Sequence, residues 1–498
     1  MELITGLYNH QIKCVEKLKK IKVGALYMEQ GTGKTRTALE LIKIRLEKGK
    51  INHVIWLCPF SVKENLRRDI IMHSMNSCKD LITICGIETL SSSIKSNVEL
   101  LKLSEDKNCY LIVDESNLVK NPNAKRTQNI IRLAEKCKYK LILNGTPISR
   151  NEADLYAQWY VLDWRILGYR SYWSFAANHL EFDERNPNKV VKTLNINYLA
   201  EKIAPYTYQV KKDECLDLPS KTYETIYYYL NNEQSKHYEE VADNLLFDID
   251  EAESYQIYRL FTSLQNVISG YKVDVNLEIT QEKDDFGNEY TYKKVKGVTK
   301  SNFFENINDN PRINTLLEVI SKIDDKIIIF CKYTDEINNI VSILNQKYGE
   351  GLAVAFNGEL NQKKRQNNLD KFRENARFLV ANKTCAGYGL NLQFCSYIIY
   401  YSNDWDYATR AQSEDRVHRI GQNKNVHIID ICASYTLDER IIKCLSKKED
   451  LVDSFKKEIE VTKDKKDLID WIRVKTSRGR SVNKRVKNID RSDLIEDI

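Results

Sequence analysis

The chain has no uninterrupted apolar run near the roughly 18 residues that a bilayer-spanning helix requires. That excludes a helical membrane span. Its 12 cysteines include no Cys-x-x-Cys pair, so clustered zinc ligands of the ribbon or RING kind are not expected. Scattered thiols of this sort point to a reducing compartment, where most cysteines are small core residues. The opening ten residues lack the basic start and long apolar core of a secretory leader, so none is expected. Excess charge of one sign is nearly absent: 76 Lys and Arg against 70 Asp and Glu leave a net +6, too little to name a partner. No internal repeat stands out beyond two similar halves. At 498 residues the chain should form two or more domains with sizeable cores.

Charge is present, but locally. From Arg473 to Arg491 the chain carries eight Lys and Arg against one acid, Asp490. Such a tail could bind phosphates without sequence preference. Short apolar runs at Gly24–Met28, His53–Cys58, Leu81–Cys85, Tyr110–Val113 and Lys140–Leu143 read as strands. Helical patterns such as Thr35–Glu47 and Ser61–His73 lie between them. A second set follows from about residue 310: Lys326–Phe330, Leu352–Phe356, Phe378–Ala381, Tyr397–Tyr401 and His427–Ile431, with helices at Asp335–Lys347 and Gln362–Glu374. Buried strands alternating with helices predict parallel sheets covered on both faces. In between, Glu152–Leu162, Asn195–Ile203 and Asn232–Gly270 read as helices rich in Tyr and Trp. Leu277–Val298 reads as a β-hairpin turning at residues 285–288. The expected class is α/β: a lobe at 1–152, helical protrusions with the hairpin at 153–305, a second lobe at 306–448, and a charged helix with a basic tail at 449–498.

Gly31-Thr32-Gly33-Lys34-Thr35 sits between a predicted strand and a predicted helix. Glycines there let backbone N–H groups face phosphate oxygens, and the helix N-terminus adds positive potential. Lys34 would neutralise β/γ phosphates and the Thr35 hydroxyl would bind Mg²⁺. The longer form of the pattern would place a further glycine at Met28. Asp114-Glu115 ends a predicted strand, where the ligand crevice of such sheets lies. Asp114 could hold Mg²⁺ and Glu115 could orient or deprotonate water. Arg416 and Arg419 are three apart, so on a helix they would share a face. Their planar forks suit phosphate. Gln11 could pair with an adenine edge.

In order along the chain, these residues resemble the motif series of superfamily-two helicases, and within them the Swi/Snf-type DNA-dependent ATPases. Gln11 resembles the Q motif, Gly31–Thr35 motif I, Leu57–Asn65 motif Ia, Asp114–Asn121 motif II and Asn144–Ile148 motif III. Ile328–Phe330 resembles motif IV, Gly387–Leu392 motif V, Asp404-Trp405 the start of an Asp-Trp-Asn-Pro block, and Gln412–Gln422 motif VI with its His-Arg-Ile-Gly-Gln core. The resemblance implies two RecA-like lobes with helical protrusions. It implies ATP and Mg²⁺ as cofactors, with Gly389 and Asn391 joining Gln11, Gly31, Thr32, Gly33, Lys34 and Thr35 in ATP binding. It also implies tracking along double-stranded DNA, with Pro59, Ser61, Thr89, Lys332, Lys383, Thr384 and Trp405 as DNA contacts by motif position.

The chain departs from the family at several points. Ser116-Asn117 stand where Ala-His is usual, Ala386 where glycine is usual, and Asp406-Tyr407 where Asn-Pro is usual. Gln209–Lys212 lack the family's paired arginines. Because Lys34, Thr35, Asp114, Glu115, Arg416 and Arg419 are all present, an active ATPase is expected. Three readings stay open: a double-stranded-DNA translocase in replication, repair or recombination; a strand-separating helicase on DNA or RNA; and a nucleic-acid-binding scaffold switched by ATP. The translocase leads. The expected partners are DNA and a possible replication or repair protein, with no membrane and a monomeric state. Few prolines with much Lys, Asn and Ile suggest an AT-rich bacterial or bacteriophage genome, hence a cytoplasmic location, or a nuclear one in a eukaryote.

Overall fold

The apolar runs become strands because they alternate between two buried faces. In the computed structural model, residues 1–75, 77–78, 80–145, 148, 151–183, 190–246, 254–283, 289–383, 390–449, 451–461 and 465–473 are described. The strands in chain order are β1 Val23–Met28, β2 His53–Cys58, β3 Ile82–Gly86, β4 Cys109–Asp114, β5 Tyr139–Asn144, β6 Leu180–Phe182, β7 Val190–Thr193 and β8 Thr207–Val210. They continue with β9 Lys221–Tyr228, β10 Tyr271–Lys283, β11 Glu289–Asn302, β12 Ile327–Cys331, β13 Ala353–Phe356, β14 Phe378–Asn382, β15 Tyr397–Tyr400 and β16 Val426–Ala433. Two compact units divide mainly between Leu218 and Pro219.

The first unit holds a six-stranded sheet in the order β3-β2-β4-β5-β1-β8, with every pair parallel. Ala25, Tyr27, Ile55, Leu57, Leu111, Val113 and Ile142 face one core. Leu26, Met28, Val54, Trp56, Tyr110, Ile112 and Leu141 face the other. This period-two split buries a parallel sheet on both faces. Trp159, on the helix Ala153–Leu167, seals one face and donates its indole N–H to the Tyr27 hydroxyl at 2.9 Å.

The second unit repeats the plan with the order β13-β14-β12-β15-β16-β9, again all parallel. The interval 153–305 was expected to hold protrusions only, yet it supplies one strand to each sheet, β8 to the first and β9 to the second. Two helices replace the expected helical stretch 232–270, Asn232–Leu246 and Ser254–Ile268. Both bury apolar faces in the second core. The hairpin is longer than expected, β10 paired antiparallel with β11 through a bulge at Asn276/Leu277. Its predicted turn at 285–288 lies outside the described residues. The helices Leu451–Val461 and Lys465–Arg473 belong to the second core rather than to a solvated end, since Leu451, Phe455 and Ile472 are fully buried. The rest of the basic tail lies outside the described residues.

The 11 described cysteines are free thiols. Among the described residues no helix is long and apolar enough to cross a membrane.

Candidate functional site

In the first sheet β1, β5 and β4 are successive neighbours, and register places Tyr27 beside Asn144 and Leu143 beside Asp114. With strands about 4.8 Å apart, the ends carrying Met28, Asn144 and Asp114 therefore form a row about 10 Å wide. The loop after β1 leads into the helix Lys34–Glu47, whose N-cap is Gly33 in the left-handed conformation. Gly31 and Gly33 have φ of 83° and 87°. A Cβ on Gly33 would lie 2.1 Å from Gln11 Nε2, so a side chain there would push the Gln11 amide off the loop as well as strain φ.

Gln11 is buried. Its Nε2 donates to Thr32 O at 3.3 Å and Gly33 O at 3.2 Å, while its Oε1 accepts from Tyr8 N at 2.9 Å. Gln11 thus holds the shape of the glycine loop. His10, which the sequence reading passed over, donates from Nε2 to Thr32 O at 2.8 Å. Its position beside Gln11 was the one signal available. Thr32 Oγ1 donates to Glu29 O at 2.7 Å, and Lys34 Nζ donates to Met28 O at 2.9 Å. The loop is therefore tied by side chains from three directions. Lys34 and Thr35 open the helix, half-buried, where unpaired N–H groups concentrate positive potential.

Asp114 closes β4. Glu115 follows in the left-handed region at φ 50° and ψ 56°, and its N–H donates to Asp114 Oδ1 at 3.0 Å. A non-glycine residue there stores about 1–3 kcal/mol of strain, which concentrates at functional turns. Ser116 is fully buried. It donates to Gln158 Oε1 at 2.6 Å and accepts from Asn144 Nδ2 at 3.4 Å. So the departure from Ala at this position links the Asp-Glu turn to the β5 end and to the helix Ala153–Leu167. Gln158 was not legible beforehand, because its partner is 42 residues away.

The oxygens that Thr35 and Asp114 offer suit Mg²⁺, which keeps most of its waters and binds through few protein groups. The described residues contain no group of three His, Cys, Asp or Glu side chains that could hold a metal unaided.

Among the predicted DNA contacts of the first unit, Ser61 is exposed and Thr89 half-buried. Pro59 is buried at the end of β2, where its carbonyl accepts from Val62 N at 3.0 Å. It shapes the turn and offers no ring to a ligand.

The second unit holds three further candidate contacts. Lys383 is fully buried. Its ammonium lies 3.4 Å from Asn403 Oδ1 and 3.9 Å from Asp404. Lys332 donates to Gln265 Oε1 at 2.8 Å and sits 3.2 Å from the centroid of the Trp405 ring. Trp405 is only 9% exposed. It donates its indole N–H to the same Gln265 oxygen at 2.9 Å, and the exposed Tyr258 lies over its ring at 5.3 Å. Gln265 and Tyr258 of the helix Ser254–Ile268 pack on Lys332 and Trp405, while Lys383 is enclosed by Asn403, Asp404 and Tyr400. Burial pushes Lys332 down to about 7 and Lys383 to about 8, with Asp404 opposing both shifts. Gln265 also donates to Asn403 O at 2.9 Å, and was likewise missed. Thr384 and Gly389 lie outside the described residues.

Arg416 and Arg419 do not share a helical face. The helix Tyr407–Glu414 ends before them, in turns made by Val417 N and His418 N donating to Glu414 O. Arg416 is buried and Arg419 half-buried, with Arg419 donating to Asn391 Oδ1. Beneath the helix, Arg410 makes a two-pronged pair with Asp430 at 2.6 and 2.9 Å and reaches Glu414 at 2.8 Å. Burial would raise Glu414, but Arg410 and Lys221 hold it at about 2. Gln422 ties the segment down by donating to Cys395 O at 2.8 Å.

Two six-stranded parallel sheets covered by helices, the first with a glycine loop after β1, define a two-lobed RecA-like protein. The chain matches the SNF2-related domain over residues 10–276, more than half its length, and the helicase conserved C-terminal domain over 311–421. It belongs to the SNF2-related family. It is 26% identical over 388 residues to an uncharacterized ATP-dependent helicase of Mycoplasma genitalium, covering 76% of this chain and 33% of that protein. With an uncharacterized ATP-dependent helicase of Bacillus subtilis it shares 25% over 457 residues, 88% of this chain and 77% of that one. In fold it is similar to the Hef helicase domain of Pyrococcus furiosus, with a TM-score of 0.51 at 14% identity over 88% of this chain and 97% of that one. The chain thus spans about a third of the Mycoplasma relative's length.

Proposed function

We propose that the chain is a DNA-dependent ATPase that moves along double-stranded DNA. The observation that carries the catalytic part is the first unit's row of strand ends: a glycine loop braced by Gln11 and His10, with Asp114 and the strained Glu115 two strands away. Backbone N–H groups of Gly31–Lys34 bind the phosphates, and Lys34 neutralises them. Thr35 and Asp114 would hold Mg²⁺, which would offset the phosphate charge. Glu115 orients and deprotonates the attacking water. Ser116, Asn144 and Gln158 keep that turn in register with the β5 end. Arg416 and Arg419 are assigned to stabilising the charge that develops in phosphoryl transfer.

Movement on duplex DNA is supported by membership of the family, whose motif series the chain carries almost throughout. Replication, repair or recombination is the setting we infer, with DNA as the polymer partner. The test is steady-state ATP hydrolysis with no nucleic acid, single-stranded DNA, duplex DNA and RNA, using Lys34→Ala as the blank. Strong stimulation by duplex DNA is expected. Stimulation by single strands or RNA alone would replace the translocase with a strand-separating helicase. Binding without turnover would leave an ATP-switched scaffold.

A further inference from the structure

A cavity of about 700 Å³ lies in the first unit, away from the phosphate loop. One wall is the helix Lys125–Lys136, which presents Arg132 and Glu135. The other wall carries Tyr160, Arg170, Tyr172 and Trp173. Volumes of roughly 300–1,000 Å³ are typical of small-molecule sites.

The wall of rings is built on a fixed base. Tyr156 is buried, and its ring lies 5.5 Å from Tyr172 and 5.7 Å from Tyr160. Its hydroxyl donates to Arg170 O at 3.1 Å, which fixes the backbone of the arginine at the mouth. The Arg170 guanidinium lies 4.9 Å from the centroid of the Trp164 ring, a stacking that limits its rotamers. Trp173 is 76% exposed at the mouth, although Tyr172 beside it turns inward. Burial raises the Tyr156 and Tyr172 hydroxyls, so both rings stay neutral, and they meet edge to face.

Flat rings on one side and two arginine forks against a single carboxylate select a particular chemistry. The ligand needs a planar face for the tyrosines and an anion for the arginines. A base offers the first, at about 1–3 kcal/mol per stacked base. A phosphate matches the guanidinium fork. Glu135 can accept from an exocyclic amino group.

We propose that this cavity binds a nucleoside phosphate, its base against Tyr160, Tyr172 and Trp173 and its phosphate on Arg132 and Arg170. The source is either a free nucleotide or one nucleotide of an unpaired strand. The inference does not depend on the translocase reading. It does carry a consequence for the hydrolytic site, because Tyr156 and Tyr160 flank Gln158 on the helix that holds Ser116.

The test uses the full chain carrying Lys34→Ala, so that no turnover intrudes. Tryptophan fluorescence is titrated with AMP and with a five-nucleotide deoxyadenylate strand. Inorganic phosphate and phenyl phosphate are the controls, and Trp173→Phe identifies the reporting ring. The expected result is saturable quenching, lost with Trp173→Phe, and an affinity at least about ten-fold weaker in Arg132→Ala/Arg170→Ala, a loss of about 1.4 kcal/mol or more. Both arginines are exposed, so the pair should fold, and an unchanged thermal melt checks this. Tighter binding of the strand than of AMP assigns the site to unpaired nucleic acid, and the reverse assigns it to a free nucleotide. Affinities unchanged in the double variant, or phenyl phosphate binding as tightly as AMP, would overturn the proposal.

Discussion

The strand ends of the two sheets carry the same kind of motif residue and use it in opposite ways. In the first unit the named residues build a loop whose shape is set by side chains bonded to backbone carbonyls. Gly31 and Gly33 act through φ, Lys34 and Thr35 through a helix start, and Gln11 by bracing carbonyls. In the second unit the corresponding Lys383 and Trp405 are internal and Lys332 is half-buried. Lys383, Lys332 and Trp405 are bound to one another through Asn403, Asp404 and Gln265. The difference shows that a motif reports its chemistry directly when the residue works through a loop. It reports only an address when a neighbouring insertion can cover it.

The largest expected effect lies in the loop. Gly33→Ala should lower ATP hydrolysis on the order of 10²–10³-fold, the scale seen when one preorganised donor is removed from a reacting oxyanion. The methyl group would displace Gln11 and leave a strained φ. Gly24→Ala, in β1, where the added methyl would press at 3.3 Å only on the end of the Leu18 side chain, is the control and should change turnover little. Equal losses in both would mean that strand packing, rather than loop shape, limits the site.

In the second unit, the structural use of charge predicts a stability effect first. Arg410→Ala leaves Asp430 buried without its cation, while Glu414 keeps Lys221, and breaking such a pair costs about 3–5 kcal/mol. Urea unfolding should show the transition of that unit moving to lower denaturant. A wild-type transition with lost hydrolysis would instead give Arg410 a catalytic role.

How legible all this was depends on the range of the interactions. The ten sheet strands expected from apolar runs all appear within a residue or two, because burial on both faces leaves a local trace. The strands β8 and β9 were missed. Thr207–Val210 is short, and Lys221–Tyr228 alternates Lys, Thr, Tyr and Glu in the manner of an exposed edge. The glycine loop between β1 and its helix was legible because its turn is local. Gln158 and Gln265 were not, since each meets its partners across 42 to 140 residues of chain. Nor could the sequence show that Tyr258 covers Trp405.

A pH profile sharpens the contrast. Lys332 and Lys383 have folded values near 7 and 8, below the free lysine value, so the unfolded chain binds more protons between those values and about 10.4. Stability should therefore rise with pH through that window, by up to about 1.4 kcal/mol per pH unit for each lysine. The gain is absent below pH 7. Above about 8.5 the buried thiols Cys58 and Cys331, raised by burial, work in the opposite direction, so the clean interval is pH 7 to 8.5. Lys332→Met should flatten the rise measured by urea unfolding. A slope identical to wild type would mean that Lys332 is hydrated and keeps an ordinary lysine value.

The smallest expected effect is the most discriminating. A lysine that meets DNA phosphate releases a counterion, so removing it lowers the slope of log affinity against log salt by about 1. Lys383 is fully buried and cannot do this while the second unit is folded. Lys383→Met should therefore leave the salt slope of duplex binding unchanged, whatever it does to stability. Ser61→Ala, at an exposed position beyond β2, should weaken duplex binding by about 0.5–1.5 kcal/mol, the net value of one hydrogen bond. The two variants separate the readings. If Lys383→Met lowers the slope by one unit and Ser61→Ala does nothing, the packing of Asn403, Asp404 and Tyr400 around Lys383 must open when DNA binds. The covered lysines of the second unit would then be the working contacts and the open loop of the first a bystander.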